Sequence, residues 1–223
     1  FSVYMLKYDL HNHTHYSSCS NLKPETLLKL SKKKGFDGIG VVDHHTIKGA
    51  LKVKKLNKNK NFKVIIGSEI STNYGDVLAL YIKKDIKSRE FFSVVAEVKK
   101  QNGIIIIPHP FRKSLNKHHK FKVPLETIKN KIDAIECINA RMLPLGDNKK
   151  AQKVAKKLNL PGTGGSDAHF SFEVGTAWTL FEGDFRKALK RKETKYQGKV
   201  FLGPIGGFFS FLRNRLHLYK LPE

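Results

Sequence analysis

Short apolar runs alternate along this chain with longer amphipathic segments whose polar positions are mostly lysine. Runs of four to eight apolar, β-branched-rich residues predict strands at Tyr4–His11, Ile39–Val42, Lys63–Gly67, Val77–Ile82, Ile104–Ile107, Ala134–Ile138, Pro161–Gly164 and Thr176–Leu180. Between them the apolar period lengthens to that of a helix. Pro24 and Glu25 suit a first helical turn, Leu27, Leu28 and Leu30 form one stripe, and Gly35 after three lysines is a stop signal. Further helices are predicted at Ile47–Leu56, Ser88–Gln101, Leu125–Asn130, Asn148–Leu158 and Asp184–Arg191. Strand and helix in alternation indicate βα units, and chains of this size build α/β barrels from them.

The 223 residues suffice for one substantial core, and we read a barrel domain over residues 5–192 followed by a basic C-terminal extension, residues 193–223. In that extension Phe208, Phe211, Leu212, Leu216 and Tyr219 recur at helical spacing beside Arg213 and Arg215, a stripe expected to dock on the barrel. The longest apolar run, Gly103–Pro108, is one strand long, far short of a membrane span. Two cysteines, Cys19 and Cys137, are too few for a disulfide framework, which favours a reducing, cytoplasmic setting. The formal charge of +23 comes from lysines spread along the whole chain. Such a surface attracts phosphorylated metabolites or nucleic acid, but dispersed lysines also serve solubility, so charge alone selects no partner.

Candidate chemistry concentrates just past the strands. His11, His13 and His15 alternate in DLHNHTHYSSCS at the end of the first strand. His44 follows the second strand, Glu69 the third, His109 the fifth, and Asp167 and His169 the seventh, while Asp76 opens the fourth. A parallel barrel gathers the carboxyl ends of its strands at one mouth, where these residues would meet. Without a cation, so many buried imidazoles and carboxylates carry a large desolvation cost, and divalent ions remove it. Asp9 and Asp43 are placed to orient imidazoles from behind. Arg141, with Asn139 beside it after the sixth strand, and Arg112 after PHPF are candidate clamps for a phosphate. His45, His118, His119 and His217 read as surface residues.

The ordered motifs DLHNHTHYS, VVDHHT, GSEIS, PHPF and GGSDAH, spanning about residues 9 to 181, resemble those of the PHP family of polymerase-and-histidinol-phosphatase phosphoesterases. The resemblance implies a distorted seven-stranded (β/α)7 barrel of TIM type holding two or three divalent ions, manganese, zinc or iron. It places His11, His13, Glu69 and Asp167 on one ion, with Glu69 bridging to a second served by His109. His44 and His169 would hold a third. The chain departs from the family at two points: Ser17-Ser18-Cys19 stands where relatives supply another ligand, leaving Cys19, Ser18 or neither, and Asp76 stands where many relatives have histidine. An aspartate there favours a harder ion. The implied reaction is metal-assisted attack of water on a phosphomonoester, a nucleotide or an oligonucleotide end, with His169 or His15 protonating the leaving group. The competing expectation is a non-catalytic RNA-binding barrel related to the protein subunit of ribonuclease P.

Overall fold

The computed structural model describes residues 4–112, 121–142, 146–200, 205, 209 and 212. The strands are β1 (Leu6–Asn12), β2 (Gly38–Val41), β3 (Lys63–Thr72), β4 (Gly75–Leu80), β5 (Ile104–Ile107), β6 (Ala134–Asn139), β7 (Gly162–Gly165), β8 (Ala177–Phe181) and β9 (Lys195–Gly198). The helices are α1 (Pro24–Lys33), α2 (Lys48–Leu56), α3 (Phe91–Lys100), α4 (Gly146–Leu158) and α5 (Phe185–Arg191). All strands join one sheet in the order β7-β6-β5-β4-β3-β2-β1-β8-β9. Its last gap is nearly closed, because Asn12 bridges to Ala168 in parallel and the His13 amide donates to the Ala168 carbonyl at 2.9 Å. The result is an α/β, barrel-like sheet.

Among the described residues nine strands stand where a seven-stranded (β/α)7 barrel was expected, and the simple βα alternation breaks twice. The β3–β4 pair is an antiparallel hairpin with Thr72 opposite Gly75, so β4 runs against both β3 and β5. Gly75 has φ 126°, a conformation in which a side chain is strained, so the turn depends on its lacking one. At the other side, β8 is antiparallel to β1 and pairs with β9, which falls within the segment read as an extension. The short strand Lys195–Gly198 went unread because it is only four residues long and its one large apolar side chain, Tyr196, stands between polar residues.

The strands bury their apolar residues on both sides, as a barrel with outer helices requires. Val77, Ala79, Ile105, Ile107 and Ile135 pack outward on Phe91, Val94 and Val98 of α3, whereas Leu10, Leu78, Leu80, Ile106 and Phe181 fill the interior. Among the described residues no helix is long and apolar enough to cross a membrane. Of the C-terminal stripe only Leu212 belongs to the described residues; nearby, the ring of Phe209 lies 6.1 Å from that of Phe170. His118, His119 and His217 lie outside the described residues.

Candidate metal centre

Local backbone geometry brings the polar groups together. His11 ends β1 on the same face as His13, as residues two apart in an extended chain must. His44 sits in the turn after β2, bridged to Glu69 inside β3. Because β4 runs in reverse, its first residues lie beside the end of β3, so Asp76 reaches the same mouth that the carboxyl ends of parallel strands form. His109 follows β5, and Asp167 and His169 follow β7. His45, His109 and Asp167 hold φ values of 61°, 29° and 54°, a region that non-glycine residues enter at a cost of about 1–3 kcal/mol each and that clusters at functional sites.

The side chains converge tightly and are buried, with His44 partly open. His11 Nε2 and His13 Nε2 face each other at 3.1 Å. Around them Glu69 Oε2 lies 3.1 Å from His13 Nε2 and 3.5 Å from His11 Nε2, and Asp167 Oδ1 lies 3.4 and 3.5 Å away. His109 Nε2 meets Glu69 Oε1 at 3.1 Å. Proton positions follow from the partners behind the rings. His11 Nδ1 lies 2.9 Å from Glu136 Oε1, an acceptor, so Nδ1 carries the hydrogen and Nε2 a lone pair. His13 Nδ1 faces Ser17 Oγ at 3.3 Å, and that hydroxyl spends its own hydrogen on Asp43 at 2.8 Å. His13 Nε2 is then a lone pair as well.

Two nitrogen lone pairs and two carboxylates therefore point at one another with no hydrogen between them. An excess proton or a cation must sit there. Consistent with this, burial disfavours charge on His11, yet Glu136, Asp167 and Glu69 raise its pKa well above the usual value. Burial would likewise raise Glu69 and Asp167, but the facing histidines hold both well below the normal carboxylate range. Among the described residues four overlapping groups place their donor atoms within 4.8 Å of one another: His11, His13 and Glu69; His11, His109 and Asp167; Glu69, Asp76 and His109; and His13, His44 and His169. The donor set fits divalent ions by charge, chemistry and spacing.

Other expected residues fall around this cluster. Cys19 Sγ lies 3.1 Å from His169 Nε2, whereas Ser18 is exposed. Arg112 extends a guanidinium nitrogen to within 3.4 Å of Asp167 Oδ2 and remains about a quarter exposed. Arg141 is buried and its Nε pairs with Glu173 at 2.9 Å, a carboxylate itself buried. Burial, Arg141 and His13 together hold His169 well below the usual histidine pKa, which suits a neutral ligand better than a proton donor. His15 stands apart: the extended chain turns after Asn12, and its half-buried ring packs edge-on to Tyr16 at 4.9 Å. His45, expected on the surface, is half-buried with Nδ1 lacking a hydrogen-bond partner among the described residues.

The supporting residues divide differently from expectation. Asp43 reaches His13 through Ser17 and also binds the Thr14 amide and hydroxyl, both at 2.7 Å. Asp9 touches no imidazole ring in its hydrogen bonds; it accepts from Ser166, Gly175 and the His11 backbone, tying β1 to the loop after β7. Asn139 donates to Glu136 at 2.9 Å and to Asp167 at 3.3 Å. Two important carboxylates escaped the sequence reading. Glu136 holds His11 and the His109 amide, and its signal was a charge inside the apolar run AIECI. Glu173 secures Arg141 and the amides of His169 and Phe170, with no pattern to announce it.

Comparison with known proteins agrees with this geometry. Residues 9–159 match the PHP domain model, and residues 146–194 match a PHP-associated model. The chain is 34% identical over 182 residues to the uncharacterized protein MJ0417 of Methanocaldococcus jannaschii, covering 79% of this chain and 70% of that one. A second protein of that organism, the uncharacterized MJ1587, is 37% identical over 117 residues, 48% of this chain and 68% of its own. The fold resembles a two-domain protein of Bacteroides vulgatus containing a predicted PHP-like metal-dependent phosphoesterase, with a TM-score of 0.74 at 19% identity, covering 87% of this chain and 65% of that one. With its histidines and carboxylates gathered at one barrel mouth and the domain match spanning most of that barrel, the chain belongs to the PHP domain family.

Proposed function

We propose that this chain is a metal-dependent phosphoesterase acting on a phosphomonoester, a nucleotide or an oligonucleotide end. The observation that carries the reading is the pair of imidazole lone pairs facing each other at 3.1 Å among ionised carboxylates, an arrangement that calls for a cation. The phosphoesterase name carried by the Bacteroides vulgatus structure supports the reaction class. The ions would be held by His11, His13, Glu69 and Asp167, with Asp76 and His109 on a second and His44 and His169 on a third. Two carboxylates with one imidazole favour a harder ion such as manganese or iron, while His13, His44 and His169 with the nearby Cys19 thiol favour zinc. When bound, such ions act as Lewis acids on a phosphoryl oxygen and lower the pKa of water.

The chain's own residues supply the rest. Glu136 fixes the His11 proton at Nδ1, and the Asp43–Ser17 pair does the same for His13, so both rings stay oriented between turnovers. Arg112, at the rim, would bind a phosphate oxygen, and Arg141, locked by Glu173, would add fixed positive charge. The segment beyond β9 would dock near the same mouth, as the approach of Phe209 to Phe170 supports. The test combines elemental analysis of the purified protein with hydrolysis of p-nitrophenyl phosphate under added manganese. Stoichiometric metal and manganese-stimulated turnover are expected, both lost in His13→Ala and Asp167→Ala. A protein that purifies without metal, binds none on addition and hydrolyses no phosphoester would instead act as a binding barrel.

A further inference from the structure

The opposite mouth of the barrel carries a different kind of chemistry. There a cleft of about 630 Å³ opens between the starts of β1 and β3, the end of α2 and the loop that follows it. Its walls include Lys54, Lys58, Lys60 and Lys63, against one acid, Asp184. Asp184 is already engaged, since its carboxylate caps α5 by accepting from the Lys187 amide at 3.0 Å. None of the four lysines has a carboxylate within ion-pair reach among the described residues. Four lysines around one cleft against a single carboxylate leave a net positive potential that a polyanion relieves.

The loop between α2 and β3, which bears Lys58 and Lys60, is built to hold its shape. Asn57 donates to the carbonyls of Asn59 and Phe62, and the side chains of Asn57 and Asn59 accept from the amides of Asn59 and Asn61. Lys63 Nζ binds the Lys60 carbonyl at 2.9 Å, which turns one ammonium over the loop. The basic surface also continues sideways. Tyr81, held at φ 61°, carries the Arg186 guanidinium on its ring face at 4.0 Å. Arg186 borders a second cleft of about 380 Å³ that also holds Lys190 and the Lys99–Asp133 ion pair, so it too carries a net positive charge. A single phosphate would fill one cleft; two adjoining basic clefts suit an anion with repeated charges. Tyr8 and Tyr81 line the floor as neutral hydroxyls, burial having pushed the Tyr8 phenol up to about 12.

We propose that this amino-terminal mouth is a second binding site, independent of the metal centre, for the phosphate backbone of single-stranded nucleic acid. Phosphate contacts of this kind release counterions, so affinity falls with salt at roughly 0.7 log units per log unit for each phosphate neutralised on a single strand. The test measures anisotropy of a fluorescein-labelled oligothymidylate with the full chain in EDTA, across a salt series. K54E/K58E/K60E is expected to weaken binding at least about tenfold and to flatten the salt slope by roughly 2, since three contacts are removed. K149E/K153E/K156E makes the same change in net charge on exposed positions of α4 and is expected to stay within about twofold of the parent protein. K54Q/K58Q/K60Q, checked by circular dichroism, repeats the experiment with a milder change.

Equal weakening in the two glutamate variants would overturn the proposal, because only overall charge would then matter. So would tight binding of inorganic triphosphate by a protein that ignores the oligonucleotide, which would make the cleft a site for a small free polyphosphate. Metal-stimulated hydrolysis of p-nitrophenyl phosphate, followed in the same variants, is expected to be unchanged. Its absence from the parent protein would count against the metal centre and leave the nucleic-acid result standing on its own.

Discussion

The two mouths of this barrel are formed by the ends of the same strands, yet they handle charge in opposite ways. At the carboxyl mouth His11, His13, Glu69 and Asp167 are each at most 2% exposed, and ionisable groups that deep persist only when they neutralise one another. At the amino mouth Lys54, Lys58, Lys60 and Lys63 are exposed, and none forms an ion pair among the described residues. The first arrangement fixes groups for chemistry on one small centre; the second leaves a field for a large ligand to find. The difference shows that net charge is a poor guide to function, while the burial of charge is a good one.

The sharpest way to break the comparison is at the buried end. Asp167→Ala or His13→Ala is expected to lower manganese-stimulated kcat/KM by at least about 100-fold with the fold intact, exceeding the roughly 10–100-fold effect typical of a supporting residue. Steady-state kinetics beside a circular dichroism melt would show it. Glu136→Gln should weaken metal affinity about 10–100-fold, read by calorimetric titration, because one amide oxygen cannot accept from His11 on one side and from the His109 amide and Asn139 on the other, and the negative charge behind His11 is lost. Gly49 probes the same network from behind: a Cβ there would come within 1.9 Å of Asp43 Oδ2. Gly49→Ala should therefore cost about 1–3 kcal/mol in urea unfolding and also reduce metal affinity through Asp43, Ser17 and His13.

A smaller effect is expected from pH. Burial pushes Asp9 up to about 6, against hydrogen bonds from Ser166 that pull it down. A carboxyl group that binds its proton more tightly folded than unfolded adds stability at low pH, and that contribution fades as pH rises from about 4 to 6. Asp9→Asn should remove that fall, visible as a flatter curve of Tm against pH over that interval. The smallest effect belongs to the other mouth, where Lys58→Ala is expected to change stability by no more than about 0.5 kcal/mol and turnover not at all.

The sequence disclosed the elements better than their directions. Runs such as Ile104–Ile107 and the stripe of α1 are strong local signals, and both appear where they were expected. The reversal of β4 went unread, although the two residues Asn73 and Tyr74 that link it to β3 are too few for a parallel crossover and allow only an antiparallel neighbour. Ligand candidates were legible because they follow apolar runs, where polar residues stand out. The supporting layer was less so: Glu136 lies within a strand and Glu173 in a short 3₁₀ turn, and each matters in part through a partner far away in sequence, His11 for the first and Arg141 for the second. His15, though it alternates with His11 and His13, lies beyond the end of β1 with its ring against Tyr16, so alternation alone did not settle its place.

The reversed β4 has a consequence for how such a molecule could be altered. Asn73 and Tyr74, joining β3 to β4, sit at the rim beside Asp76, whereas in an unbroken βα repeat the next connection there would be a long loop leading to a helix. This stretch of rim is thus fenced by a tight hairpin, anchored by the Asn73 amide on the Arg89 carbonyl and the Phe91 amide on the Asn73 side chain. Lengthening that hairpin by grafting would add a wall to the entrance without disturbing the strand order, giving a direct handle on which substrates are admitted.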